Sequence, residues 1–165
     1  MIKKAFVFDF DDTLVTTKAK IRIYNSDGIF VRNIAPTELS SFVLGKDEYY
    51  DFREFHDNSF IEDADPTFLI HLAVEVSNER HDVFILTAIE DDSSDAIDAF
   101  LLNHNIDAKT IHCVGGKDRP IAEKKAEILN TIIQMYDKTY FYDDSQENIE
   151  TAPEGENFRK YKVSC

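Results

Sequence analysis

The chain has 165 residues, 43% of them hydrophobic, and a formal net charge of −14 from 18 Lys and Arg against 32 Asp and Glu. That length suits a single domain with one substantial core, and the acidic excess argues against diffuse binding to nucleic acid or an anionic membrane. The longest apolar runs are strand-sized, short of the roughly 18–20 residues that span a bilayer, and Asp9, Asp11 and Asp12 interrupt the N-terminus before a signal-type apolar region forms, so a soluble, cytoplasmic protein is expected.

The first apolar run, residues 4–8, reads as a strand. Residues 19–24 and 29–34 are two further β-like runs, joined by Asn25-Ser26-Asp27-Gly28, a hairpin turn signal. A short helix near residues 37–43 and an aromatic, acidic segment over 47–55 follow. Asp65-Pro66 has the form of an N-cap and first-turn pair and predicts a helix to about Glu79 with Phe68, Leu69, Leu72, Ala73 and Val76 inward. A strand at 83–86 precedes a helix from Ser93 or Ser94 to about Asn103, with Ala96, Ile97, Phe100 and Leu101 inward. After a strand at 111–114, Pro120 opens a helix carrying Ile121, Ile128, Leu129, Ile132 and Ile133. A strand at 139–142, a short helix from Ser145 and a strand at 159–163 complete the chain. Strand–helix alternation implies an α/β fold in three layers, α/β/α, with a central parallel sheet. The stretch 15–63 is longer than an ordinary connection and reads as a small hairpin-containing cap or flap inserted after strand 1, within a single domain spanning 1–165.

The first strand runs into Asp9-Phe10-Asp11-Asp12-Thr13. In a doubly wound sheet ligands sit beyond the carboxyl ends of the strands, where these acids are delivered. Residues two apart in extended chain project to the same side about 6–7 Å apart, leaving room for a phosphoryl group between Asp9 and Asp11. One carboxylate can then act as nucleophile, and the other can protonate a leaving oxygen and activate water. Acids this close repel, so their ionisation must be settled by a cation or by raising one pKa; a metal is implied, with magnesium the natural choice for oxygen ligands and phosphate. The same residues also fit a strand ending in an acidic turn. Thr87, closing the run Val83-Phe84-Ile85-Leu86, either donates to a phosphoryl oxygen or serves as a turn residue. At 100° per residue, Lys125 falls at the centre of the apolar stripe made by Ile121, Ile128, Leu129 and Ile132. It either snorkels or meets charge there. Lys124, about a right angle away, and Lys117, beside Gly115-Gly116, are the second and third choices for the same role. Asp143-Asp144, at the end of a further apolar strand, either coordinate a cation with Asp9 or cap the next helix.

Asp9-x-Asp11-x-Thr13, Thr87, Lys125 and Asp143-Asp144, each after a predicted strand and in this order, resemble the four motifs of the haloacid dehalogenase (HAD) superfamily. The pair Asp9 and Asp11 is similar to its phosphatase branch. The resemblance implies a Rossmann-like HAD fold and a magnesium-dependent phosphatase that hydrolyses a phosphomonoester through an aspartyl-phosphate. It makes Asp9 the nucleophile and a metal ligand, and Asp11 the acid/base that also gives a backbone carbonyl to Mg2+. Thr87 and Lys125 would hold phosphoryl oxygens, and Asp143 with Asp144 would complete the metal shell. The stretch 125–129 and the paired Asp143-Asp144 are further similar to the phosphatase domain of polynucleotide kinase-phosphatases and to small viral-type HAD proteins. Relatives of that kind often carry Arg two residues after the motif-II hydroxyl, where this chain has Ile89, a departure that removes a phosphate or substrate contact and weighs against end-healing of nucleic acid. The expected substrate is a phosphorylated small molecule, a nucleotide or a nucleic-acid end.

Two other readings are a receiver-like phosphorylation switch and a catalytically silent HAD-fold binding domain. A receiver would place its phosphorylated Asp after a middle strand, where this chain has Thr87. The five His have no metal-ligand spacing and read as structural or surface groups. Cys113 and Cys165 have no CxxC spacing and read as incidental thiols. Lys18, Lys20, Arg22, Arg32 and Arg53 read as surface charge, with substrate contact as the alternative.

Overall fold

The computed structural model describes residues 1–164, with backbone alone for Thr37, so Cys165 lies outside the described residues. Its strands are β1 (Lys4–Phe8), β2 (Val15–Thr16), β3 (Ile21–Asn25), β4 (Phe30–Ile34), β5 (Glu48–Asp51), β6 (Asp65–Pro66), β7 (Asp82–Thr87), β8 (Ala108–Cys113), β9 (Lys138–Asp143) and β10 (Phe158–Lys162). The helices are α1 (Ser59–Glu62), α2 (Leu69–Asn78), α3 (Ser94–Asn103), α4 (Ile121–Met135) and α5 (Gln146–Thr151). None of the helices among the described residues is long and apolar enough to cross a membrane.

The central sheet has the order β10-β9-β1-β7-β8, and every pairing in it is parallel. The chain moves outward from β1 through β7 to β8, then returns to lay β9 on the other side of β1. That reversal opens a crevice at the carboxyl ends of β1 and β9, the kind of switch point where α/β sheets hold ligands. The inner strands β1, β7 and β9 are mostly apolar because both of their faces are covered, whereas the edge strands β8 and β10 carry Lys, Arg and Thr and are partly exposed. Ala5 and Val7 pack on one face with Leu129, Ile132 and Phe158, whereas Phe6 and Phe8 pack on the other with Ala73, Ile97 and Leu101. Period-two alternation thus feeds two separate cores from one strand.

Residues between β1 and α2 build a second, antiparallel sheet in the order β4-β3-β5. β3 and β4 form the predicted hairpin, where Gly28 takes φ +76 and Asn25 Oδ1 accepts from the N–H groups of Asp27 and Ile29. The aromatic segment supplies its third strand, β5. Tyr50 and Phe55 join the small core of Ile21, Ile23 and Ile34, while Tyr49 and Phe52 stay exposed. The helix expected near residues 37–43 contracts to a single 3-10 turn, Pro36–Glu38.

Asp65-Pro66 does not open a helix. Both residues pair with β2 in a short antiparallel ladder, and α2 begins later, at Leu69. Thr67 reinforces the closure, donating from N to Leu14 O at 2.8 Å and from Oγ1 to Thr13 O at 2.6 Å. The local capping signal loses because this pairing satisfies more backbone groups, and Pro66 at the margin of a two-strand ladder needs no N–H. The later start also leaves Phe68 68% exposed and turns Ile70 inward instead.

The loop after β8 lies hard against the loop after β7. A Cβ on Gly115 would stand 2.7 Å from Glu90 Cγ and 2.8 Å from both Ala88 O and Glu90 N, two of them backbone contacts. Gly→Ala at an unstrained site ordinarily gains about 0.4–1 kcal/mol. Gly115→Ala is expected to lose about 1–3 kcal/mol through overpacking, read as a lower urea midpoint, and an unchanged or raised midpoint would contradict this packing.

Candidate active site

Asp9 is held by an extension of the sheet. Its N–H donates to Tyr142 O at 2.9 Å, carrying the β1–β9 ladder one residue past the end of β1. The chain then wraps around the carbonyl of Phe10, which accepts from Thr13, Leu14 and Val15 N–H at 3.3, 2.9 and 3.1 Å. Asp12 takes φ 58 to make this turn, a left-handed conformation that Asp tolerates better than most residues. The wrap buries Asp9 to 6% exposure and leaves Asp11 half-buried. Thr13, fully buried, donates from Oγ1 to Asp9 Oδ2 at 3.3 Å. Asp11 Oδ1 accepts from Thr17 N–H at 3.4 Å. Burial, with the charge of Asp12, pushes its carboxyl up to about 6 against the opposing Thr17 hydrogen bonds.

Asp143, at the end of β9, is 0% exposed and Lys125 only 1%. Lys125 Nζ donates to Asp143 Oδ2 at 2.7 Å and to Asp9 Oδ1 at 3.0 Å, joining residues more than a hundred positions apart. Burial alone would depress this ammonium, but the two carboxylates beside it hold it above the ordinary lysine value. Asp143 is braced further by Ser145 N–H at 2.8 Å and by the Asn148 amide, which donates to both of its oxygens at 3.1 and 3.0 Å. Asn148 is placed by the cap of α5, since Ser145 Oγ accepts from its N–H at 3.3 Å. Burial raises Asp143, and Asp9 adds to that while Lys125 opposes it. Burial also pushes Asp144 up to about 7, helped by the charge of Asp9. Asp9, Asp143 and Asp144 offer carboxylate oxygens all within 4.8 Å of one another.

Asp9, Asp11, Thr87, Lys125 and Asp144 line one cleft of about 500 Å³, with Asp143 directly behind. Thr87 is buried at 1% exposure and its Oγ1 accepts from Ile89 N–H at 3.3 Å. The three candidate lysines part company. Lys124 is also buried, contrary to its angular position, because Nζ donates to Gly115 O at 3.0 Å, Gly116 O at 3.4 Å and Asp118 Oδ1 at 2.7 Å. It ties the loop before α4 to the helix and does not reach the acids. Lys117 is exposed and absent from the cleft's lining.

Sequence reasoning passed over Asn148, Thr13's hydrogen bond to Asp9, and the wall that the inserted segment supplies through Glu54, Phe55, His56 and Asp57. The Ser145 N-cap was a usable signal for Asn148, three residues on. His56 was invisible as part of any group because its neighbours Glu90 and Asp92 are far away in sequence. In space the three present ligand atoms within 4.8 Å at the rim, all exposed, with His56 Nδ1 3.8 Å from Glu90 Oε2. None of Lys18, Lys20, Arg22, Arg32 and Arg53 lines the cleft. Cys113 is a free thiol pushed up to about 11 by burial and by Asp91 and Asp92, which suits an unreactive group.

No protein-family model and no curated protein sequence matches the chain. Solved structures do match. A chain of the Pnkp1/Rnl/Hen1 complex superposes with a TM-score of 0.62 at 14% identity over 98% of this chain, which spans only 45% of that one's length. A haloacid dehalogenase-like family hydrolase from Streptococcus pneumoniae gives 0.54 at 16% identity, covering 91% of this chain and 80% of its own. A HAD-superfamily hydrolase of subfamily IA, variant 1, from Geobacter sulfurreducens gives 0.56 at 11%, covering 96% and 94%. With a five-stranded parallel sheet between helical layers and these neighbours, the chain has the Rossmann-like fold of haloacid dehalogenase-type hydrolases.

Proposed function

We propose that this chain is a magnesium-dependent phosphatase that hydrolyses a phosphomonoester through a phospho-aspartate on Asp9. The observation that carries the reading is the convergence of Asp9, Asp143, Asp144 and Lys125 at the crevice between β1 and β9. Three carboxylates face one ammonium in a buried place, leaving two negative charges when all are ionised. A divalent cation of hard character matches both the charge and the all-oxygen donor set. Asp9, Asp143 and Asp144 would hold it, with the backbone carbonyl of Asp11 as a fourth donor. When bound it would neutralise charge developing on the phosphoryl group.

The remaining chemistry falls to the chain's own side chains. Asp9 is the nucleophile, its Oδ1 held by Lys125 and its Oδ2 by Thr13. Asp11, on the cleft wall, keeps a proton more readily than an ordinary carboxyl and donates it to the leaving oxygen, then takes one from the water that cleaves the acyl phosphate. Lys125 and the Thr87 hydroxyl hold non-bridging oxygens where charge accumulates. Residues 15–63 act as a cap that supplies the outer wall. The chains of the RNA repair complex that share this fold raise a nucleic-acid end as one substrate class, beside a nucleotide or a phosphorylated small molecule.

Asp9→Asn keeps the shape of the side chain and removes its nucleophilic oxygen, so Mg2+-dependent turnover of p-nitrophenyl phosphate is expected to fall at least about a thousandfold, with unfolding unchanged in kind. Parental turnover in this variant would sink the mechanism. Because Asp11 protonates the leaving oxygen, Asp11→Asn is expected to reduce kcat/KM for an alkyl phosphate by about 10²–10⁴ and for an aryl phosphate by clearly less. Equal losses on the two esters would refute a general-acid role. Lys125→Met strips the charge and leaves two buried carboxylates without it. In metal-free buffer this is expected to cost about 3–5 kcal/mol of stability, measured by chemical denaturation. A variant as stable as the parent would mean that the lysine is not offsetting the acids.

A further inference from the structure

The phosphate end of the cleft accounts for only part of its lining. Beyond Asp9, Asp11, Asp12 and Asp144, four more carboxylates face the same space: Glu54 and Asp57 from the inserted segment, Glu90 from the loop after β7, and Glu147 from α5. Lys125 is the only lysine or arginine among the described residues that line it. None of Lys18, Lys20, Arg22, Arg32, Lys46 and Arg53 of the inserted segment lines the cleft, and its His56 lies there beside Glu90. Arg22 pairs with Glu54 at 2.6 Å and Arg53 with Asp51, so Glu54 is largely neutralised, while Asp57, Glu90 and Glu147 have no lysine or arginine partner among the described ion pairs. The walls between these acids are apolar and partly aromatic, with Phe55, Phe60 and Ile61 on the inserted side and Ile89 and Ile121 opposite.

A dianionic phosphate reaching Lys125 must therefore carry its leaving group into a zone of negative potential. A second phosphate, or the continuing backbone of a nucleic acid, would meet like charge there with no arginine to receive it. A positively charged leaving group would meet carboxylates at the rim and aromatic rings between them, the combination that attracts ammonium groups. The volume of about 500 Å³ admits a small ester with room to spare. We infer that the substrate is a phosphomonoester of a small alcohol bearing a protonated or quaternary amine, selected by the carboxylate and aromatic walls around the leaving group. This rests on the phosphatase reading above and narrows it.

The test compares kcat/KM for phosphocholine and O-phosphoethanolamine with glycerol 3-phosphate, a nucleoside 3′,5′-bisphosphate and a 3′-phosphorylated oligonucleotide, with p-nitrophenyl phosphate as a reference, all with Mg2+. The amine esters are expected to exceed glycerol 3-phosphate by about tenfold or more, with the bisphosphate and oligonucleotide poorest. In the double variant Glu90→Gln, Glu147→Gln the ratio of phosphocholine to glycerol 3-phosphate is expected to fall toward one, and raised salt is expected to lower it in the parent. Glycerol phosphate or the oligonucleotide matching the amine esters overturns the inference, as does a ratio that the double variant leaves unchanged. Those outcomes leave the phosphatase reading standing. Silence toward every ester, p-nitrophenyl phosphate included, overturns that reading and this inference together.

Discussion

The buried ammonium of Lys125 between Asp9 and Asp143 is the interaction on which the site's geometry depends. Opposite charges about 4 Å apart are worth roughly 4 kcal/mol at an effective dielectric near 20, while taking each ion out of water costs several kcal/mol. One lysine can offset one carboxylate well and two only in part. The structure spends further donors on the remainder: Ser145 N–H and the Asn148 amide on Asp143, and the Thr13 hydroxyl on Asp9. Even so, burial and then the charge of Asp9 keep Asp143 and Asp144 raised. Stability alone would favour apolar residues there. Retaining the acids makes sense when the site is completed by a cation.

That arrangement is imposed by backbone, since side chains this polar could not gather themselves. Asp9 N–H is locked to Tyr142 O and Asp143 O accepts from Val163 N–H at 2.9 Å, so the two acids sit at fixed heights on neighbouring parallel strands. A slip of one residue in β1 would send Phe6 and Phe8 to the face that now holds Ala5 and Val7. The two cores enforce the register, and the register places the carboxylates. Lys125 completes the set from α4, whose apolar stripe through Leu129 and Ile132 anchors it on the sheet.

Much of this was legible in the sequence, for identifiable reasons. The inner strands β1, β7 and β9 stand out as nearly continuous apolar runs, and Lys125 sits on a stripe that simple angular periodicity reveals. Signals that depend on distant partners failed. Asp65-Pro66 is a good local helix opening, yet its partners are Val15 and Thr16, some fifty positions earlier. Lys124 seemed to face away from the core because its acceptors lie on the Gly115–Asp118 loop, outside the helical wheel. The third strand of the inserted sheet hid in an aromatic segment with both faces half-polar, and the meeting of His56 with Glu90 depends on how that sheet docks.

The division of labour follows from the same geometry. The ends of the parallel sheet and α4 supply Asp9, Asp143 and Lys125, and these are tied down by ladders, a helix cap and a buried ion pair. Glu54, Phe55, His56, Asp57, Phe60 and Ile61 form one outer wall of the cleft, held to the core through the β2–β6 ladder and the two hydrogen bonds of Thr67. Changes in that segment can alter the charge and shape of the outer cleft without moving Asp9, Lys125 or Asp143, because none of their hydrogen bonds runs through it. For a chain of net charge −14 this separation has a further consequence. A net field of this sign repels anions within a Debye length of about 8 Å and is screened beyond it, so it supplies no long-range attraction for them. Under the phosphatase reading proposed above, discrimination would then arise at short range, where a leaving group meets the acidic wall.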